Sequence, residues 1–87
     1  AVAEAVGGRL QRLAQNCQVL VVTHSPQVAA RGDSHWQVRK SDAGQGMSTQ
    51  VTLLQDDTRL EEVARMLAGA AVTDEARAAA RRLLEAQ

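Results

Sequence analysis

Hydrophobic and polar residues alternate along this chain with three different periods, and each period predicts an element. Val19, Leu20, Val21 and Val22 form an unbroken apolar run rich in β-branched residues. A strand apolar on both faces belongs to the interior of a parallel sheet covered by helices, so the run predicts a buried strand. Upstream, Val2, Val6, Leu10 and Leu13 recur at helical spacing, with Ala5 and Ala14 widening the stripe, which predicts an amphipathic helix from Ala1 to about Ala14. No capping residue precedes it, and Gly7 and Gly8 in its middle each cost about 1 kcal/mol relative to Ala, which close packing against a sheet would explain. After Pro26, Gln27 to Ala30 has room for one helical turn, stopped by Arg31-Gly32-Asp33.

Strand periodicity returns further on. In His35 to Lys40, Trp36 and Val38 share a face, and Met47, Thr49, Val51 and Leu53 alternate again after the turn-like Ser41 to Gly46. Together they predict an antiparallel hairpin with one apolar face. Two helices follow. Thr58 is placed to cap the first, with Glu61 completing a capping box, a stripe of Leu60, Val63, Ala64 and Leu67, and Gly69 ending it in a left-handed conformation. Thr73 is placed to cap the second, whose stripe is Ala76, Ala79, Ala80, Leu83 and Leu84, with Arg77, Arg81 and Arg82 facing solvent.

At 87 residues the chain holds one unit at most, spanning 1–87, with no second domain. Trp36 is the only aromatic residue. So few large anchors, together with the uncapped start, suggest a section of something larger. Ten basic and ten acidic side chains cancel, so no global field draws in nucleic acid or an anionic membrane. Cys17 stands alone, which excludes an internal disulfide and fits a reducing compartment; it precedes the apolar run and reads as a buried, inert thiol. No apolar stretch reaches the ~18 residues of a membrane span, and the cytoplasm is the expected location.

Candidate chemistry collects at the end of the apolar run, in Thr23, His24, Ser25 and Pro26. In open α/β sheets ligands bind just beyond the carboxyl ends of the strands, which places His24 where it could bind a phosphate oxygen or move a proton. Its plain alternative is a structural histidine satisfying a nearby carbonyl. His35 reads as an ordinary hairpin residue, and neither histidine has cysteines or carboxylates at metal-ligand spacing. Ser25 lies in no Gly-x-Ser-x-Gly elbow, so it is not a nucleophile candidate. The sequence also lacks a Gly-rich phosphate loop and an apolar strand ending in paired acids, so nothing in it can hold a nucleotide and its magnesium unaided.

The segment Val19 to Ala30 resembles the switch-histidine segment of ATP-binding-cassette ATPases, and more narrowly that of the RecN family of bacterial double-strand-break repair ATPases, whose heads are of the structural-maintenance-of-chromosomes type. Arg59 to Ala70 with Val72-Thr73 is similar to the carboxyl-terminal end of the same family. The resemblance implies an α/β fold, the carboxyl-terminal part of a P-loop ABC-type ATPase head ordered helix, buried strand, antiparallel hairpin and two helices. It implies that His24 is the catalytic and ATP-contacting residue, meeting the γ-phosphate, with no metal ligand in this stretch. It further implies ATP and Mg2+ in the full-length parent, the upstream part of the same head and a second head in an ATP-dependent dimer as partners, DNA contacted through the parent, and nucleoid association. Ser25 departs from the family pattern, where a bulkier apolar residue is expected. The contrasting expectation is a non-enzymatic interaction module in which His24 is structural.

Overall fold

The computed structural model describes residues 1–42, 44 and 46–86. The chain is mixed α/β. Helix α1 (Val2–Leu13) is followed by a single turn, α2 (Pro26–Ala29), then by the hairpin strands β1 (His35–Asp42) and β2 (Met47–Leu54) and by helices α3 (Asp56–Ala68) and α4 (Asp74–Glu85).

The buried apolar cluster lies between α3 and α4. Val63, Ala64 and Ala80 are fully excluded from solvent and Ala76 nearly so, with Leu60, Leu67, Val72, Leu83 and Leu84 closing around them. Three of the four buried positions are alanines, so the two backbones approach closely and the leucines seal the flanks. Both helix starts are satisfied locally. Thr73 Oγ1 accepts from Ala76 N at 3.1 Å, as its position predicts. Helix α3 starts earlier than expected: Gln55 is its cap, and Thr58, three residues in, turns its hydroxyl back to accept from Gln55 N at 3.0 Å. Asp56 takes φ 49 at this tight entry. At the other end Gly69 has φ 84, a positive value that glycine adopts without strain, and its N–H reaches Arg65 O at 2.8 Å. Arg81 and Arg82 face solvent, whereas Arg77 bridges the helices through Glu61 at 2.6 Å and also meets Asp74 at 3.0 Å.

The hairpin pairs Trp36 with Leu53 and Val38 with Val51, which puts the apolar alternation on one face. That face is open: Trp36, Val38, Val51 and Leu53 are between 41 and 62% exposed. The opposite face turns toward α3 and is polar, with Leu54 alone buried. The strands also run further than the composition suggests, taking in Ser41 and Asp42; of the expected turn, Ala43 and Gln45 lie outside the described residues.

One expected element does not form. Val19 to Val22 make no ladder, and Leu20 and Val22 are 88 and 94% exposed, so the buried strand is corrected to an irregular, largely solvent-facing connection. A strand exists only where a neighbour takes its N–H and C=O groups, and among the described residues β1 and β2 pair only with each other. The apolar run marks a segment suited to a sheet interior, but among the described residues no strand flanks it. The same lack of cover corrects Cys17, which is exposed rather than buried, its thiol donating weakly to Leu13 O at 3.5 Å. No helix among the described residues is long and apolar enough to cross a membrane.

Candidate functional site around His24

His24 follows this connection and leads into α2. Its side chain is exposed, and it takes no part in the hydrogen bonds that shape the turn on either side of it. Those bonds belong to its neighbours. Ser25 N donates to Thr23 Oγ1 at 3.0 Å, and Ser25 Oγ accepts from Val28 N at 3.4 Å while donating to Gln27 Oε1 at 3.1 Å. Ser25 is therefore the N-cap of α2, and Pro26 stands at the first helical position, where its missing N–H costs nothing. The pair Ser-Pro is a helix-start signal, and it agrees with the single helical turn expected after Pro26.

The short helix after His24 is held on two sides. Gly7 of α1 is buried against it: a Cβ there would stand 3.3 Å from Gln27 O and 3.5 Å from Val28 Cα. The close approach that the glycine pair predicts is thus made to α2 and not to a sheet, and it is made by Gly7 alone. Arg31 Nη1 adds a hydrogen bond to Gln11 Oε1 at 3.1 Å. On the other side, Arg59 of α3 sends Nη2 to the carbonyl oxygens of Ala29, Ala30 and Gly32 at 3.2, 3.4 and 2.6 Å. These carbonyls lie at and just beyond the carboxyl end of α2, and Ala29 O also accepts from Gly32 N at 3.3 Å. Nothing in the spacing singled out Arg59 for this role. The only signal is its position one turn before Val63, on the flank of the buried stripe.

A second polar group lies under the hairpin. The imidazole of His35 faces α3, with its Nδ1 buried and making no hydrogen bond, and burial followed by the Arg59 charge lowers its pKa, against a smaller opposing pull from Glu62. Glu62 is held ionised chiefly by Arg65, which grips it through Nε and Nη2 at 2.6 and 3.0 Å. Burial also lowers the pKa of the Arg59 guanidinium, with Asp33 acting in the opposite sense. An open groove of about 590 Å³ between the polar hairpin face and α3 is lined by both signs of charge, Arg39 and Arg65 with Asp57, Glu61 and Glu62. His24 does not line it. The structure brings Thr23, His24 and Ser25 together at one turn, keeps His35 apart from them beneath the hairpin, and shows no cluster of three or more potential metal ligands among the described residues.

Curated relatives match nearly the whole chain. It is 45% identical over 85 residues to the DNA repair protein RecN of Xylella fastidiosa (strain Temecula1), covering 98% of this chain and 15% of that protein. It is 51% identical over 81 residues to RecN of Mycobacterium leprae, covering 93 and 14% respectively. With RecN of Halalkalibacterium halodurans it shares 37% identity over 84 residues, 97% of this chain and 15% of the relative. No protein-family profile matches the chain. It spans about one seventh of the length of the relatives it matches, at 14 to 15%. The capped His24 turn and the α3–α4 pair thus occur in a chain that belongs to the RecN family of DNA repair proteins and matches their carboxyl-terminal segment.

Proposed function

We propose that this chain is the carboxyl-terminal part of a P-loop ABC-type ATPase head in a RecN-type DNA repair protein, and that its catalytic contribution is His24. The observation that carries this reading is the state of His24 itself. The imidazole is exposed and outside the local hydrogen-bond network, yet its backbone leads straight into a turn capped by Ser25 and fixed by Pro26. A structural histidine would be satisfied by a neighbour, whereas this residue is exposed and takes no part in the hydrogen bonds of its own turn.

Such a side chain fits a phosphate oxygen. A neutral imidazole has one N–H to donate and a protonated one has two, and a donor aimed at an oxygen that gains charge in the transition state lowers the barrier more than it tightens binding. His24 would hold that oxygen and help orient the attacking water. ATP, when bound, supplies the γ-phosphoryl group, and Mg2+ with the other phosphates would be held by upstream residues of the same head, because this sequence has neither a phosphate loop nor a paired-acid strand. A second head completing the site in an ATP-dependent dimer, DNA bound through the rest of the protein, and work at the bacterial nucleoid in the cytoplasm belong to the same reading.

The test is ATP binding and turnover in the full-length protein. His24→Ala should lower kcat by about two orders of magnitude and leave the Kd for ATP within a few-fold, as for a group that acts on the transition state. Parallel loss of affinity and turnover would contradict that role, and unchanged turnover would favour a non-enzymatic interaction module.

A further inference from the structure

We propose that Arg59 is a positioning residue for His24, clamping the carboxyl end of α2 to α3 so that the His24 turn is held rigidly on the α3–α4 body. The inference rests on the assignment of His24 as the residue that meets the γ-phosphate. Its own ground is the geometry of three contacts: one guanidinium nitrogen reaches the carbonyl oxygens of Ala29, Ala30 and Gly32, 27 to 30 residues away in sequence, the nearest at 2.6 Å.

From those carbonyls back to His24 the chain has little freedom. Ala30 N donates to Pro26 O and Ala29 N to Ser25 O, both at 3.0 Å, so the turn from Ser25 to Ala30 moves as a unit. Pro26 fixes its own φ, and Ser25 closes the cap through Val28 N. His24 is the residue immediately before that unit. On the α1 side Gly7 permits close approach to α2, and Arg31 donates one side-chain hydrogen bond to Gln11 Oε1 at 3.1 Å. Arg59 supplies the directional restraint on the α3 side, and it acts on the backbone itself. A cation at a helix carboxyl terminus also meets the negative end of the helix dipole, but a four-residue helix has a small dipole, so the restraint is carried by the two N–H groups of Nη2, shared among the three carbonyls and shortest to Gly32 O.

Arg59 touches neither phosphate nor water in this scheme. Losing it should therefore affect the precision with which His24 is placed, and misplacement of a catalytic group by a distant change costs up to about a hundredfold in rate.

The experiment uses the full-length protein with Arg59→Met, which keeps an aliphatic stem and removes the donors, and Arg59→Lys, which keeps a cation at the same carbonyls. Arg59→Met should lower kcat by about tenfold or more with the KM for ATP within about twofold, and Arg59→Lys should recover most of that loss. In a double-variant cycle, Arg59→Met added to His24→Ala should change turnover by less than about twofold, because both act through one imidazole. Amide exchange supplies a readout independent of activity: in Arg59→Met the amides of Ala29 to Gly32 should exchange faster while those of Val63 and Ala64 stay protected, which also shows that the variant folds. If His24→Ala lowers turnover but the Arg59→Met effect is additive to it, or the Ala29 to Gly32 amides are unchanged, the positioning role is overturned and the assignment of His24 stands. If His24→Ala leaves turnover intact, both fall.

Discussion

Gly7 and Gly8 are neighbours on α1, yet a Cβ at Gly7 would stand 3.0 Å from Arg31 Cγ and 3.3 Å from Gln27 O, while one at Gly8 would meet nothing within 4 Å. The two positions should respond in opposite directions to the same change. Gly8→Ala gains helix propensity at an open site and should stabilise by up to about 1 kcal/mol. Gly7→Ala gains the same propensity but must push back a backbone carbonyl, and overpacking of this kind costs about 1 to 3 kcal/mol, so it should be neutral at best and destabilising in most of that range. Thermal melts of the two variants side by side check this; equal shifts would show that α2 is not packed on Gly7. The glycine pair was legible in the sequence as a site of close approach. Which of the two makes it, and against what, depends on how α1 is rotated relative to α2, and no local pattern carries that.

Among the elements, α3–α4 and the hairpin draw on different forces. In the helix pair Val63 has no exposed surface, so Val63→Ala removes two buried carbon atoms and should cost about 2 kcal/mol by loss of transfer energy and a small cavity. Chemical denaturation should show a lower midpoint at constant slope, whereas an unchanged midpoint would mean the core is elsewhere. The hairpin rests on α3 through polar groups that titrate. His35 has its pKa lowered from 6.5, so the folded state resists a proton that the unfolded chain accepts. Its contribution to stability is fully present above pH 6.5 and is lost as pH falls through that value and below. Glu62 is also lowered, from 4.5, so its contribution persists above that pH and fades only under more acid conditions. Stability should therefore fall in two stages on acidification, and His35→Gln should abolish the first stage while leaving the second. A thermal midpoint as sensitive to mild acid in His35→Gln as in the unaltered chain would show that another group is responsible.

At the scale of the whole molecule, what was legible depended on whether an element is completed by residues close to it in sequence. The α3 stripe matches the packed core at every position and the α4 stripe at all but Ala79, because each helix buries its stripe against the other, a few residues away along the chain. The hairpin was legible for the same reason, its register fixed by two adjacent alternating segments. Val19 to Val22 carry as clear an apolar signal, but a buried strand needs neighbours on both edges, and among the described residues it has none. The open face of Trp36, Val38, Val51 and Leu53 follows the same rule: the pattern states that a face is apolar and cannot state what covers it. At the candidate site, His24 was visible as a polar residue ending an apolar run, whereas Arg59, whose partners lie 27 to 30 residues away, was not.

The proposed role of His24 in phosphoryl transfer is best read from single-turnover hydrolysis in the full-length protein loaded with ATP beforehand, since this separates the chemical step from binding and product release. His24→Ala should load ATP to the same extent as the unaltered protein and then hydrolyse it about a hundredfold more slowly. Hydrolysis of preloaded ATP at the unaltered rate would rule out a part for His24 in the chemical step.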